Sequence, residues 1–485
     1  MSTARDTPHV PGTTGATIER DEGVRAGFAE DASGLRLVPE AVARPRTPDE
    51  VAEVLREAGR TGTPVTAAGA QTSYVGGSIA DRGIVLSLRA LDRVLAVDPE
   101  RRTMRAEAGA YLGDVKRAAA AHGLLFPPDP TSEEESSLGG AIACNSSGAR
   151  SLKYGATRPW IRALTVALAD GRIVEVRRPA MEKNVAGFGP VHDMVDWFVG
   201  SEGTLGVVLA AELVLVPLPR AVIGLGIPFR TQGEALAFVV AAREARDRTR
   251  AVGRLDPSAA AGGVEPRCLE FLDAAAFAIA RDHVGGTWGA GASAYVYVEE
   301  ESFDDADPPL DAWLALAEAH GALADDIQVF EGEPSLREAR RMRHAVPATL
   351  NERAARFRPA GGRKVSTDWA VPYARLAEAL DAAAGIAAAH GVDIAATFGH
   401  AGNGHPHQHF VARDAAELAR VEAAVDATVR HVVGMGGTVA AEHGIGKIKR
   451  KWLELQLSPV QLGLMRAIKR ELDPAGILAP GNVFA

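Results

Sequence analysis

The chain has 485 residues, of which 47% are hydrophobic and 24% are charged, with a formal net charge of -9 and a pI near 5.9. We expect two or three domains, because single hydrophobic cores stop growing at about 250–300 residues. The acidic balance and the thinly spread basic residues argue against a nucleic-acid groove or an anionic membrane patch, and so favour a small-molecule partner.

Targeting signals and cysteine motifs exclude further classes. The N-terminal stretch has no apolar signal core, and no run of about 18 apolar residues occurs, so we expect neither a signal peptide nor a spanning helix. The expected location is cytoplasmic, with peripheral membrane attachment left open. Cys144 and Cys268 are too few for a zinc ribbon, a disulfide framework or a cysteine-ligated iron–sulfur cluster. Redox chemistry would need a different cofactor.

The first predicted element is a helix that begins after Thr47. Residues 1–34 before it are polar and predicted to be flexible. Thr47 and Glu50 have the spacing of a capping box, and Pro48 suits the first helical position. Gly59 and Gly62 mark the helix end, so this region predicts the start of a βαβ unit.

The following elements are mostly strands. They are predicted at "PVTAAG", "GIVLSL", "VLAVD" and "TMRAEAG", with a helix from Tyr111 to Gly123. Asp170-Gly171 predicts a two-residue hairpin turn within "ALTVALADGRIVEV". From about Pro219 the sequence changes to alanine-rich helices, a few strands such as "ASAYVYVEEE" and a loop-like "ESFDDADPPLD", which indicates a second domain.

Three glycine-rich stretches lie in the first half: Pro64 to Ser78, Pro127 to Gly155 and Val199 to Val208. Consecutive glycines with Ser and Thr let backbone N–H groups approach an anion such as pyrophosphate. Taken singly, a stretch of this kind is more often a plain turn between strands. The chain has no G-x-x-x-x-G-K-[ST] motif, and no G-x-G-x-x-G opens a helix with a following acid, which disfavours ATP and Rossmann NAD sites.

Together, the three stretches resemble the flavin loops of the FAD-linked oxidase superfamily that includes vanillyl-alcohol oxidase. "GAQTSYVGGS" is similar to its first loop, "LGGAIACNSSGARSLKYG" to its second and "GSEGTLGVV" to the segment that closes over the flavin. With "TFGHAGNGHPH", "AAEHGIGKIK" and "ELDPAGILAPGNVF", the resemblance covers nearly everything from Val38 onward. It implies an α+β fold, with a two-part FAD-binding domain of the vanillyl-alcohol oxidase type and an α/β cap domain containing an antiparallel sheet.

The resemblance also implies the domain order and the FAD contacts. The segments would be a flexible N-terminus (1–34), an FAD-binding domain (35–218), a substrate or cap domain (219–440) and a C-terminal segment returning to the flavin site (441–485). No histidine lies in the first loop, where covalently flavinylated relatives can carry one, so noncovalent FAD is expected. The implied FAD-binding residues are Gly69, Ala70, Gln71, Thr72, Ser73, Gly76, Gly77, Asp129, Thr131, Gly139, Gly140, Asn145, Ser146, Gly148, Tyr154, Glu202, Gly203, Thr204, Gly206, Val207 and Asn482.

Four histidines follow one another in a predicted loop, "GHAGNGHPHQH" from Gly399. Read alone, this loop is a polar surface, a hydrogen-bond network or a metal site. The D-2-hydroxyacid dehydrogenase branch of the resembling family has the motifs G-H-x-G-D-G-N-x-H and G-E-H-G. They imply His400, His407 and Glu442 as ligands of a divalent metal with open positions for substrate, and His443 as the catalytic base. Zinc is expected, with manganese and iron(II) as alternatives.

The chain departs from these motifs at three positions. Asn403 replaces the Asp, His405 the Asn, and Ala441 the first Gly of the second motif. His405 is assigned to substrate binding, with an extra metal ligand and an ordinary loop residue as open alternatives. The same alternatives apply to His409.

"LREARRMRHAVPATL" predicts a basic helix, whose plain interpretation is a solvated arginine face. In the resembling dehydrogenases a helix here carries an arginine for the substrate carboxylate, and Arg343 matches it best, with Arg340 as the alternative. A guanidinium suits this role because its planar donors pair with two carboxylate oxygens. Lys364 in "KVSTDWAVP" is too loosely matched to assign.

These residues imply oxidation of a small 2-hydroxy acid, such as D-lactate, glycolate or D-2-hydroxyglutarate, to the 2-keto acid by hydride transfer to FAD. The external acceptor is a quinone, a cytochrome, an electron-transfer flavoprotein or oxygen, and a homodimer is left open. One alternative is a metal-free flavoenzyme of the same fold, resembling alkylglycerone-phosphate synthase or aldose and alditol oxidases. A zinc hydrolase without flavin is the more distant alternative.

Overall fold

The computed structural model describes residues 15–181, 183–255, 262–284, 288–303 and 307–484. They form two compact units. The first contains the chain up to Gly148, residues 155–218 and the chain from Glu442 onward, and the second contains residues 149–154 and 219–441. No helix within the described ranges is both long and apolar enough to cross a membrane.

The first unit contains eleven strands and eight of the helices that the structure describes. The strands are β1 (Thr17–Glu19), β2 (Ala41–Arg44), β3 (Val65–Ala68), β4 (Ile84–Ser87), β5 (Val94–Asp98), β6 (Thr103–Glu107), β7 (Leu124–Leu125), β8 (Ile161–Ala167), β9 (Ile173–Arg177), β10 (Val207–Val214) and β11 (Val216–Pro217). The helices are α1 (Glu22–Ala26), α2 (Pro48–Thr61), α3 (Leu112–Ala120), α4 (Leu138–Cys144), α6 (Gly189–His192), α7 (Val195–Phe198), α14 (Arg450–Gln456) and α15 (Pro459–Leu472).

Two larger sheets organise this unit, in the orders β1-β2-β4-β3 and β5-β6-β10-β8-β9, beside the short pair β11-β7. β2 and β3 each pair in parallel with β4, which confirms the predicted βαβ start. The second sheet is antiparallel. One buried core joins α2, α3 and both sheets through residues such as Leu55, Val115 and Leu164.

The predicted helix after Thr47 is confirmed with Thr47 as its N-cap and with Gly62 rather than Gly59 at its end, and only the return bond of the capping box differs. Thr47 Oγ1 accepts the Glu50 amide at 3.2 Å, and Gly62 ends the helix in the left-handed region with φ 68°. The Glu50 carboxylate accepts the Arg46 amide at 2.7 Å, so the reciprocal bond of the capping box is shifted by one residue. The N-terminus of α2 still gains two hydrogen bonds.

The predicted hairpin is confirmed as β8 and β9, but the prediction that its turn has two residues is wrong. Ala167 pairs with Ile173, and the Leu168 amide donates to the Arg172 carbonyl at 2.9 Å, which leaves three residues in the turn. Gly171 is the last of them and has φ 78°, as three-residue hairpin loops require.

The prediction that residues 1–34 are flexible is wrong for its described part, while residues 1–14 lie outside the described residues. β1 pairs antiparallel with β2, and α1 begins at an Asp21 cap. Phe28 is buried against Val42 and Val85. The burial of this one aromatic ring orders a segment whose average composition is polar.

The second unit contains one antiparallel sheet of seven strands in the order β15-β12-β14-β13-β17-β18-β16. These strands are β12 (Ala221–Phe229), β13 (Cys268–Asp273), β14 (Ala294–Ser302), β15 (Gln328–Glu331), β16 (Lys364–Ser366), β17 (Ala396–His400) and β18 (His405–Val411). The helices are α5 (Ser151–Tyr154), α8 (Gln232–Leu255), α9 (Ala274–Val284), α10 (Leu310–Ala319), α11 (Gly332–Ala355), α12 (Leu376–Ala389) and α13 (Ala415–Gly434). The predicted antiparallel cap sheet and basic helix are confirmed; of the predicted loop "ESFDDADPPLD", residues 304–306 lie outside the described residues.

The two faces of this sheet carry different helices. α8 and α10 cover the face that buries Phe271 and Val296, whereas α9 and α11 cover the face that buries Tyr295 and Phe398. Because side chains alternate along a strand, each strand contributes every second residue to the α9–α11 face. That face also carries buried acids and histidines.

Candidate functional site

The first flavin loop is held by an arginine that the sequence analysis did not identify. Arg89 donates from Nε to the Gly69 carbonyl at 3.1 Å and from Nη2 to Gln71 Oε1 at 3.3 Å. Gln71 has φ 61°, a left-handed conformation that costs energy for a residue other than glycine. Arg89 binds both the Gly69 carbonyl and the Gln71 side-chain oxygen, so groups of the protein itself hold this loop in place.

The second loop enters α4 at a point of very close packing. Ser137 caps the helix through the Gly140 amide. A Cβ on Gly139 would lie 2.7 Å from the Ala108 Cβ, so only glycine fits there. Asn145 ends the helix with φ 51°, and its Oδ1 accepts the Arg158 amide at 2.8 Å. This backbone is the kind of preformed cradle that suits a pyrophosphate-linked cofactor.

In the third loop, Glu202 supports the turn that carries Glu442 and His443. Its carboxylate accepts the Ile445 and Gly446 amides, each at 2.6 Å. Burial raises the pKa of Glu202, and these two amides oppose that shift. The resemblance implied that Glu202 contacts FAD, but its side chain binds protein backbone. It thereby positions the turn that carries His443, which belongs to the same unit.

The C-terminal segment is tied to two of these loops through Asn482. Its Nδ2 donates to the Gly77 carbonyl at 2.7 Å and to the Glu202 carbonyl at 3.2 Å. Lys447 donates to Asn482 Oδ1 at 2.6 Å and to the Gly76 carbonyl at 3.1 Å. Burial lowers the pKa of Lys447 to about 8. Sequence reasoning did not identify Lys447, which lies in the quoted motif "AAEHGIGKIK".

Tyr154 differs from the other implied FAD residues, because it belongs to the second unit. Its hydroxyl donates to the carboxylate of Glu301, which also forms an ion pair with Lys153 at 3.0 Å. Burial, with the charge of Glu301, raises the pKa of Tyr154 far above its usual range. The structure therefore shows a contact for this side chain that the resemblance did not imply.

The histidines do not lie in a loop, as the sequence predicted, but on two paired strands. His400 ends β17 and faces His405 at the start of β18, while Phe398 faces His407 and Ala396 faces His409. Gly404, with φ 69°, closes the short connection, and a side chain there would collide with the Val371 carbonyl. This tight turn fixes the register, so that all four histidines point to the α9–α11 face.

Three of these imidazoles form a compact buried set. His400, His405 and His407 each offer a ring nitrogen within 4.8 Å of the others, and their side chains are between 2% and 7% exposed. Buried polar rings need partners. His400 Nδ1 lies 2.5 Å from Glu270 Oε1, and His407 Nδ1 lies 3.3 Å from the Thr367 carbonyl. With these acceptors at Nδ1, a divalent metal ion would be bound through the opposite ring nitrogen, Nε2.

Glu270 connects the histidines to the predicted carboxylate-binding arginine. Arg343 donates from Nε to Glu270 Oε2 at 2.6 Å, and its Nη2 lies 3.4 Å from His400 Nε2. Burial alone would raise the pKa of Glu270, but the charges of His400 and Arg343 outweigh burial and hold that pKa at about 2. Arg340, the alternative, instead donates to the exposed Glu333 at 2.6 Å. The geometry favours Arg343.

Two acids of this face were missed by sequence reasoning. Glu270 and Asp368 are 1% and 5% exposed, and Asp368 Oδ1 lies 3.2 Å from His405 Nε2. A weak signal existed for Glu270, which is a single charge inside the apolar run "CLEFL". Asp368 follows the short strand β16, and no sequence pattern around it indicates a functional role. Their significance depends on strand pairing, which one sequence does not reveal.

Comparisons with known proteins agree with this architecture. Residues 39–177 match a family described as FAD binding domain, and residues 239–483 match FAD linked oxidases, C-terminal domain. The glycolate oxidase subunit GlcD of Bacillus subtilis is 32% identical over 92% of this chain and 89% of its own length. A D-lactate dehydrogenase of Archaeoglobus fulgidus is 32% identical over 91% of this chain and 90% of its own length.

The fold also matches a solved structure of alkyldihydroxyacetonephosphate synthase, with a TM-score of 0.69 at 17% identity, over 97% of this chain and 82% of that one. This likeness shows the fold alone and confirms the expected two-domain flavin fold. A flavin-free zinc hydrolase is incompatible with the matched FAD-binding domain. The matched domains and the full-length relatives show that the chain belongs to the FAD-linked oxidases and is an oxidoreductase of that family.

Proposed function

We propose that this protein oxidises a small 2-hydroxy acid to the 2-keto acid, with noncovalent FAD and a divalent metal ion, zinc in the first place. The proposed metal ligands are His400, His407 and Glu442, and the proposed base is His443. The observation that carries this proposal is the buried set of imidazoles beside Arg343 on one sheet face. The relatives named for glycolate and D-lactate support the substrate class.

Arg343 supports a carboxylate substrate in particular. A guanidinium has five N–H donors, and the contact with Glu270 fixes the plane of the group through Nε. The Nη donors then point toward the histidines, as the 3.4 Å distance from Nη2 to His400 Nε2 indicates. Alditols carry no anionic group for this arginine to pair with, so Arg343 argues against an alditol oxidase.

The proposed residues have separate tasks. When bound, FAD accepts the hydride from C2, and a divalent ion lowers the pKa of the substrate hydroxyl. His443 takes the hydroxyl proton, Arg343 holds the carboxylate, and His405 contacts the substrate. Glu202 keeps the His443 turn in place through two backbone amides. The chain itself thus supplies orientation and proton transfer.

The proposal includes the assignment of segments. Residues 35–218 and 441–485 would hold FAD through the glycine loops and Asn482, and residues 219–440 would hold the substrate. An external acceptor, either a quinone, a cytochrome, an electron-transfer flavoprotein or oxygen, would reoxidise FAD. The cytoplasmic location expected from the sequence is part of this proposal.

A substrate screen tests the reaction class. The purified yellow protein is mixed anaerobically with D- and L-2-hydroxy acids, and bleaching of the flavin band is followed before and after treatment with a chelator. We expect one enantiomer of a small 2-hydroxy acid to bleach the flavin, and chelation to slow bleaching while FAD stays bound. Bleaching by alditols alone, or full activity after metal removal, would contradict the proposal.

Replacement of the proposed base gives a sharper test. We expect His443→Asn to slow flavin reduction by about 10²–10⁴-fold, the usual range for loss of a general base, with FAD and metal contents near those of the parent. Glu442→Gln should lose metal affinity instead. Anaerobic stopped-flow and elemental analysis measure both. An unchanged reduction rate in His443→Asn would place the base elsewhere.

A further inference from the structure

We infer that His405 is a third imidazole ligand, so that the second unit alone supplies three ligands, His400, His405 and His407, to the proposed divalent cation. This inference rests on the metal in the proposed function and goes beyond its ligand set, in which His405 contacts substrate. All three residues are fixed by the pairing of β17 and β18, which places His400 directly opposite His405.

The ring positions fit one shared ion. The ring centres lie 5.5 Å apart for His400 and His405, 5.4 Å for His400 and His407, and 4.4 Å for His405 and His407. An ion that binds imidazole nitrogen at about 2.1 Å holds the centres of two coordinated rings about 5 Å apart. One ligand nitrogen from each ring lies within 4.8 Å of the others. No strand shift is needed to bring them onto a common ion.

Each ring also has an oxygen atom close to one of its nitrogens. Glu270 Oε1 lies 2.5 Å from His400 Nδ1, Asp368 Oδ1 lies 3.2 Å from His405 Nε2, and the Thr367 carbonyl lies 3.3 Å from His407 Nδ1. Metal-binding histidines almost always direct their second nitrogen to a carboxylate or a carbonyl. His400 and His407 would therefore coordinate through Nε2, and His405 through Nδ1.

The charges of this region fit a cation as well. Glu270 and Asp368 are buried carboxylates, and the described contacts pair Glu270 with Arg343 and Asp368 with His405. A divalent ion would add the positive charge that two buried acids favour. Three nitrogen ligands favour zinc, cobalt or iron(II) over magnesium, which prefers oxygen ligands.

His409 provides a matched control on the same strand. It is 3% exposed, and its ring stacks on Phe398 with centres 4.8 Å apart, but it is not among the residues whose ligand atoms cluster. A general loss of folding or of charge would affect a His405 variant and a His409 variant alike. Loss of a metal ligand would affect only His405.

The experiment measures the affinity of the FAD-loaded, chelator-treated protein for Zn²⁺ and Co²⁺ by competition with a coloured chelator. The variants are His405→Asn, Asp368→Asn, Glu442→Gln and His409→Asn, with FAD content and circular dichroism as checks on folding. We expect Asp368→Asn to weaken binding by about 10–100-fold and His405→Asn to weaken it more. His409→Asn should stay near the parent, and Glu442→Gln should lose part of the metal affinity but keep measurable binding through the three imidazoles.

A second measurement needs no variant. Pulsed EPR of the Cu²⁺-loaded parent counts coordinated imidazoles, and three are expected. A count of two imidazoles, or an unchanged Zn²⁺ affinity in folded His405→Asn, would overturn the inference. Neither result bears on the hydroxy-acid reaction, which the flavin-bleaching screen tests separately. A parent that binds neither ion would also overturn it. Failure of every hydroxy acid to bleach the flavin would reject the proposed function and leave the metal measurements valid.

Discussion

The flavin loops of the first unit and the histidine face of the second unit are built by different means. The loops depend on backbone, as Gly139 and the left-handed Gln71 and Asn145 show. The histidine face depends on side chains, which come from β13, β17, β18, α11 and the segment just after β16 and meet through strand pairing. Backbone features leave local signals in a sequence, whereas a face assembled from distant strands leaves very few.

This difference predicts how each region fails. A site of interlocking buried charges should lose function steeply when one partner is removed, because the other charge is left unpaired. A backbone cradle should tolerate polar changes and respond instead to added volume. Three substitutions test this contrast, in order of decreasing effect.

The largest effect is expected for Glu270→Gln, which removes the charge between His400 and Arg343. We expect the KM for the hydroxy acid to rise by about 10–100-fold and metal affinity to fall by a similar factor, as for other groups that orient a metal-bound histidine. Steady-state kinetics and metal titration measure both. Glu331→Gln, exposed on β15 of the same sheet, is the control. If both variants behave alike, the buried carboxylate has no special role.

For the backbone cradle we expect Gly139→Ala to cost about 1–3 kcal/mol of unfolding free energy, because the new Cβ meets Ala108. FAD content should fall with it. Gly385→Ala in α12 is the matched control, since a Cβ there meets nothing within 4 Å, and it should stabilise by about 1 kcal/mol. Thermal unfolding and released flavin are the measurements. Equal FAD content and equal Tm for the two variants would remove the argument for a rigid cradle.

The smallest effect concerns pH and the buried acids of the second unit. Burial raises the pKa of Glu300 to about 7, against hydrogen bonds from the Glu265 amide and Trp313 Nε1. The folded state therefore holds this proton more tightly than the unfolded state, and stability falls as pH rises from the ordinary value of 4.5 through about 7 and then levels off. We expect the ionisation of Glu300 to lower the free energy of unfolding by about 1 kcal/mol between pH 6 and pH 8.

Glu300→Gln should remove that part of the pH dependence and make the protein relatively more stable at pH 8. Denaturant unfolding at both pH values measures it. A variant with the parent's full pH dependence would show that Glu300 ionises normally in the folded protein.

The helix after Thr47 and the hairpin of β8 and β9 could be predicted from sequence, because capping residues and alternating runs act within a few neighbouring residues. The hairpin turn and the order of residues 15–34 were mispredicted, since one depends on strand register and the other on where a single Phe28 is buried. Turn chemistry alone does not decide either.

The sequence by itself determined the family, the flavin loops and the chemical types in the histidine segment, because these depend on which residues are present and on short spacings. Only the tertiary structure decided that His400, His405 and His407 face one another, that Glu270 lies between His400 and Arg343, and that Asp368 lies beside His405. The reason is that strands distant in sequence pair with a period of two residues, so which side chains share a face is fixed by register and sheet order.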